Sequence, residues 1–85
     1  RFRSGEINMH VTDAKSVIAA IESRYSGEGG TVDHLDGLTV DFHDWWFSIR
    51  SSNTEPLLRL NVEADDPETL AMKTAEVRAM VPPPA

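Results

Sequence analysis

Arg50, Ser52, Asn53 and Thr54 are the residues whose types and spacing suggest chemistry. They lie in the run Arg50-Ser51-Ser52-Asn53-Thr54-Glu55-Pro56. A bent loop of small polar residues can aim successive N–H groups at one anion. The hydroxyls of Ser52 and Thr54 and the amide of Asn53 add donors. Arg50 adds a planar guanidinium that meets phosphate oxygens in bidentate fashion. The set offers many donors and one fixed charge, which is what a phosphate requires. A stretch of this composition between strands is also the composition of a solvated turn, so residue types alone leave both readings open.

The elements that must position this loop follow from periodicity. Residues 57–64 alternate, with Leu58, Leu60, Val62 and Ala64 on one face and Leu57, Arg59, Asn61 and Glu63 on the other. Residues 45–50 form the strand before the loop. Placing Arg50 opposite Leu57 and Ser48 opposite Arg59 puts Phe47 and Ile49 in the core with Leu58 and Leu60. Arg50 and Arg59 then share the opposite face. Upstream, Asp36-Gly37 between two β-prone runs predicts a hairpin, and residues 38–42 alternate as a strand with one wet face. His43-Asp44 makes the next turn. Residues 6–9 read as a short extended edge segment.

Two helices complete the pattern. Asp13 is placed to cap a helix opening at Ala14, with Val17, Ile18, Ile21 and Tyr25 at helical spacing. Gly27, Gly29 and Gly30 end it. Asp66-Pro67-Glu68-Thr69 starts a second helix, with Leu70, Thr74, Val77 and Val81 on one face. The order predicts an α+β fold: an antiparallel sheet of four to five strands with both helices on one face. Residues 1–81 form one domain, in which residues 1–10 lead in from a preceding domain. Residues 82–85 read as a Pro-rich tail.

Bulk composition bounds the function. The chain has 85 residues and a formal net charge of −6, and is 40% hydrophobic and 26% charged. An acidic chain argues against nucleic acid as a partner, while leaving room for one local anion site. No apolar run approaches the ~20 residues that span a bilayer, so no membrane partner is expected. The absence of cysteine removes disulfides and thiol chemistry and fits a cytoplasmic location. A start at Arg1-Phe2-Arg3 rather than Met suggests a piece of a longer protein. His10, His34 and His43 are scattered without ligand spacing. Glu63, Asp65, Asp66 and Glu68 cluster at a helix start, where they complement the helix dipole. Trp46 shares the Arg50 face, where it either covers a neighbouring domain, the favoured reading, or simply stands exposed.

Arg50-Ser51-Ser52-Asn53-Thr54-Glu55-Pro56 followed by Leu58-Arg59-Leu60 resembles the phosphate-binding loop of the α-D-phosphohexomutase superfamily. In those enzymes the loop lies in the C-terminal domain. Ser4-Gly5-Glu6-Ile7-Asn8, Asp36-Gly37-Leu38 and Trp46-Phe47 match in order, so the resemblance covers nearly the whole chain. Asn53, with residues 57–64 after it, is closer to the phosphomannomutase/phosphoglucomutase branch; the glucosamine branch usually has Gly there.

The resemblance implies a TATA-binding-protein-like sheet with two helices. It also implies that Arg50, Ser52, Asn53 and Thr54 hold the phosphate of a hexose phosphate substrate, with Glu55, Pro56 and Arg59 as loop support. The parent activity would interconvert hexose 1-phosphate and hexose 6-phosphate through a bisphosphate. The family's phosphoserine, Mg²⁺ loop and sugar-specificity loop belong to other domains, and none of these motifs occurs here. This chain is therefore expected to carry no cofactor or metal, to work with the other domains of the same enzyme, and to be inactive alone. The alternative is a stand-alone phosphate-binding or protein-interaction domain with no enzymatic role.

Overall fold

Capping side chains set where both helices begin. Asp13, in extended backbone, accepts from the Ser16 N–H and hydroxyl and starts α1 (Ala14–Tyr25). Asp66 accepts from the Thr69 N–H and hydroxyl, with Pro67 in the first turn, and starts α2 (Pro67–Ala79). Each cap satisfies N–H groups that a helix start would otherwise leave orphaned. These hydrogen bonds hold both carboxyls below their ordinary range.

The computed structural model describes residues 1–83. Its six strands form one antiparallel sheet. β1 (Phe2–Arg3) and β2 (Ile7–His10) lie end to end along one edge of β6 (Leu57–Ala64). β5 (Trp45–Ser51), β4 (Leu38–Asp41) and β3 (Thr31–Asp33) follow in order. The sheet is thus five lanes wide with one lane split. The α+β class holds, and the strand count exceeds the expected four to five by β1. Between β1 and β2 the Ser4 hydroxyl accepts from the Val62 N–H at 3.0 Å, keeping β6 paired across the break.

The period-two reading of the core face is borne out. Leu38, Val40, Trp45, Phe47, Ile49, Leu58, Leu60, Val62 and Ala64 are buried with Val17, Ile21 and Tyr25 of α1 and Val77 of α2. Tyr25 packs against Phe42, Trp45 and Phe47 with ring centroids 5.2–5.9 Å apart. Its hydroxyl donates to Glu76 at 2.7 Å, joining the two helices.

The β5–β6 register differs from expectation. Arg50 stands opposite Arg59 and Ser48 opposite Asn61, a shift of two residues. The cause is the loop: β5 runs on to Ser51, and the Ser52 N–H donates to the Leu57 carbonyl at 3.0 Å, closing a five-residue connection. A shift of two preserves every side chain's face. The core assignment therefore survives, and the two arginines become direct cross-strand neighbours.

Helix α2 stops at Ala79, short of the expected Val81, although the Met80 and Val81 N–H groups still reach helix carbonyls. Of the expected tail 82–85, Pro82 and Pro83 follow without regular structure. Pro84 and Ala85 lie outside the described residues. No helix among the described residues is long and apolar enough to cross a membrane.

Candidate functional site

The loop after β5 folds around its own serine. The Ser52 Oγ accepts from the N–H groups of Thr54 and Glu55, each at 3.3 Å. The Glu55 carbonyl accepts from Leu57 N–H at 2.8 Å, and the Pro56 carbonyl accepts from Val11 N–H at 2.9 Å. Glu55 and Pro56 thus tie the loop to β6 and to the segment just after β2.

This geometry changes how the loop could meet an anion. The expectation was a row of outward N–H groups. The Ser52 N–H is instead used on Leu57 and those of Thr54 and Glu55 on the Ser52 hydroxyl, so that of the N–H groups of residues 52–55 only that of Asn53 has no partner among the described residues. A hydroxyl oxygen that accepts two N–H bonds keeps its own proton to donate. Such acceptance polarises that proton and strengthens it as a donor. The available donors are therefore the Ser52 and Thr54 hydroxyls, the Asn53 N–H and side-chain amide, and the arginines.

A surface hollow of about 460 Å³ brings these groups together. It is lined by Arg50, Ser52, Asn53, Thr54 and Arg59, with Ser51, Asp36, Gly37 and Ile18. Glu55 and Pro56 stand outside it.

Two arginines on adjacent strands, directly opposed, repel one another. They are neutralised unequally. Arg50 lies 3.3 Å from a carboxylate oxygen of Asp36 and 3.9 Å from one of Glu6. Arg59 has no carboxylate within ion-pair distance among the described residues, and its Nε is buried without a hydrogen-bond partner. Two arginines thus stand beside two carboxylates, and the charge left without a carboxylate of its own is that of Arg59.

Sequence reasoning missed Asp36, Gly37 and Glu6. Gly37 has φ +80°, and a Cβ there would stand 2.6 Å from the Ile49 carbonyl oxygen and 2.7 Å from Arg50 Cβ. The β3–β4 turn therefore presses against the Arg50 backbone, which is how Asp36 reaches the guanidinium. The Asp36-Gly37 hairpin signal was present in the sequence; what it would touch was not. Among the described residues no three of His, Cys, Asp or Glu gather as a metal site.

Comparison with known proteins gives a consistent result. The family described as phosphoglucomutase/phosphomannomutase, C-terminal domain, matches residues 6–80. The chain is 48% identical over 75 residues to phosphohexose mutases of Xanthomonas campestris pv. campestris, covering 87% of this chain and 17% of the relative. It is 41% identical over 78 residues to a phosphomannomutase of Methanocaldococcus jannaschii, covering 92% and 17%. It is 39% identical over 79 residues to a phosphomannomutase of Escherichia coli, again covering 92% and 17%. The chain thus spans about a sixth of the length of the curated relatives it matches.

Proposed function

The chain belongs to the phosphoglucomutase/phosphomannomutase C-terminal domain family, and from that premise we propose that it is the substrate-phosphate grip of a hexose phosphate mutase. The parent reaction interconverts hexose 1-phosphate and hexose 6-phosphate through a bisphosphate. Arg50, Ser52, Asn53 and Thr54 hold the phosphate that is not being transferred, and Arg59 supplies a second positive charge.

The observation that supports this most is the opposed pair Arg50 and Arg59 lining one hollow with the Ser52–Thr54 donors. Like charges across a ladder cost stability. A phosphate dianion between them converts that repulsion into two attractions. Arg59, without a carboxylate of its own, gains the most.

The chain's contribution is positioning. Fixing one phosphate removes rotational and translational freedom before reaction. Phosphoryl transfer itself depends on orientation and charge stabilisation supplied around the reacting phosphorus. A grip directed at phosphate suits an intermediate that must present either end. No transfer step is assigned to residues of this chain. The phosphoserine and Mg²⁺ belong to other domains, those domains are its working partners, and the fragment alone is inactive. A cytoplasmic location accords with this reading.

The test is Arg50→Ala in the full-length mutase. Losing a hydrogen bond to a charged group costs ~1.5–3 kcal/mol. That is a fall in kcat/KM of roughly 10-fold to 150-fold with the fold intact. Unchanged kinetics would remove the role given to Arg50.

A further inference from the structure

Arg50 has an anion of its own within the chain. Its guanidinium donates to the Asp36 carboxylate at 3.3 Å, and a Glu6 carboxylate oxygen lies 3.9 Å away. The formal charges of Arg50, Arg59, Asp36 and Glu6 cancel. An anion entering this hollow therefore adds charge to a balanced site, unless a carboxylate gives way.

Asp36 is the carboxylate placed to do so. Its side chain is 78% exposed, against 42% for Glu6. Its backbone is held, because Gly37 presses on the Ile49 carbonyl and on Arg50. Asp36 also stands on a wall shared by two hollows. One is the loop hollow, and the other is a neighbouring hollow of about 410 Å³ that Arg50, Thr39, Ser48 and Asn61 help to line. The hydroxyls of Thr39 and Ser48 and the Asn61 amide can donate to a carboxylate. Rotation of the Asp36 side chain alone exchanges Arg50 for water or for these donors.

We infer that Asp36 is a displaceable counter-ion, which yields the Arg50 guanidinium to an incoming tetrahedral oxyanion and retakes it on release. The inference rests on the anion-site reading above and adds a residue that regulates how tightly that site holds. Asp36 has two opposed effects: it steers Arg50, and it competes for it. Steering is the smaller. An ion pair this exposed typically shifts an equilibrium by about twofold, and Glu6 also restrains Arg50. Competition is larger. A carboxylate and a dianion sharing one guanidinium repel by about tenfold or more in water-like surroundings, which salt trims to several-fold. Asp36 therefore loosens the hold and speeds release, which suits an anion that must be gripped and let go in each cycle.

The experiment titrates the 85-residue chain with inorganic phosphate at about 0.1 M salt, following the Ser52, Asn53 and Thr54 amides and the Asp36 carboxyl carbon by NMR. Asp36→Asn removes the charge, keeps an acceptor for Arg50 and leaves an Asn-Gly pair that suits the same turn. It should bind phosphate about fivefold more tightly than the parent. In the parent, the Asp36 carboxyl signal should move along the same isotherm as the loop amides. Asp41→Asn is the control. Asp41 pairs with Trp46, about 13 Å along the strands from Arg50 and beyond a Debye length of about 10 Å. Its removal should leave affinity within about twofold.

If Asp36→Asn binds phosphate no more tightly than the parent while the loop signals still move, or if the Asp36 carboxyl signal stays fixed, the exchange is refuted and the anion site stands. If Asp41→Asn tightens binding as much as Asp36→Asn, the effect is one of net charge and the exchange is refuted as well. If neither the parent nor Asp36→Asn shows loop shifts at high phosphate, the anion site fails and the counter-ion role fails with it.

Discussion

Replacing Gly37 by alanine tests how the Asp36–Gly37 turn positions Arg50. The added methyl meets two separate penalties. A left-handed backbone at φ +80° costs an L-residue about 1–2 kcal/mol. A Cβ 2.6 Å from the Ile49 carbonyl oxygen and 2.7 Å from Arg50 Cβ is overpacked against backbone, which costs ~1–3 kcal/mol. Together they remove about 2–5 kcal/mol from a domain whose total stability is roughly 4–13 kcal/mol at this length.

Two other glycines separate the terms. Gly29 has φ +86° but nothing within 4 Å of its added Cβ, so Gly29→Ala should show the backbone term alone. Gly27 has neither feature, so Gly27→Ala should be near neutral. Thermal melts followed by circular dichroism should therefore rank Gly27→Ala, Gly29→Ala and Gly37→Ala in order of increasing loss. Gly37→Ala should lie at least ~8 °C below the parent. Phosphate titration of the folded Gly37→Ala variant should also show weaker binding, because the clash is relieved by moving the Arg50 backbone. A Gly37→Ala variant that melts with Gly29→Ala and binds phosphate like the parent would refute the close approach.

Other expectations follow from the core and the caps. Phe47 is fully buried among Tyr25, Trp45 and the strand core, so Phe47→Ala should cost ~3–5 kcal/mol and lower the urea midpoint by about a quarter or more. The Tyr25 hydroxyl, then Lys73 and Arg24, hold the Glu76 carboxyl below its ordinary value of 4.5. The folded state therefore gives up that proton more readily than the unfolded state. This contribution is complete above about pH 4.5 and is lost as pH falls through the depressed value; Glu76→Gln should flatten the acid limb of a stability–pH curve. Burial, then Glu76, pushes the Tyr25 phenol above its ordinary value of 10.0, so stability should fall as pH rises beyond about 10, and Tyr25→Phe should lose that alkaline slope. Asp66→Ala removes the acceptor for the Thr69 N–H and should fray the first turn of α2, read as faster hydrogen exchange at Glu68 and Thr69.

The sequence was most readable where one period covered a long segment. β6 came out as Leu57–Ala64 with its core face correct, because alternating apolar residues admit only one orientation. Register was less readable. Period two fixes a face and leaves shifts of two residues open, and the hydrogen bond from Ser52 to Leu57 that chose among them comes from loop geometry. β1 escaped notice because Phe2 and Arg3 are both exposed and too few to alternate.

In the site, the loop residues were visible as a local motif, and the resemblance supplied the ligand. Asp36 and Glu6 were not visible as its neighbours, lying 14 and 44 residues from Arg50, where only the folded hairpin and the β2 edge bring them close. The opposed arginines were half-seen: their shared face followed from alternation, and their direct pairing required the true register.

The central claim is that Arg50 and the residues of the following loop hold phosphate. The most direct measurement is an amide titration of the 85-residue chain with inorganic phosphate, run beside Arg50→Ala. The account predicts saturable shifts at Ser52, Asn53 and Thr54 in the parent and their loss or a weakening of more than about tenfold in the variant. Loop signals that stay fixed at high phosphate, or that shift equally in both proteins, would contradict it.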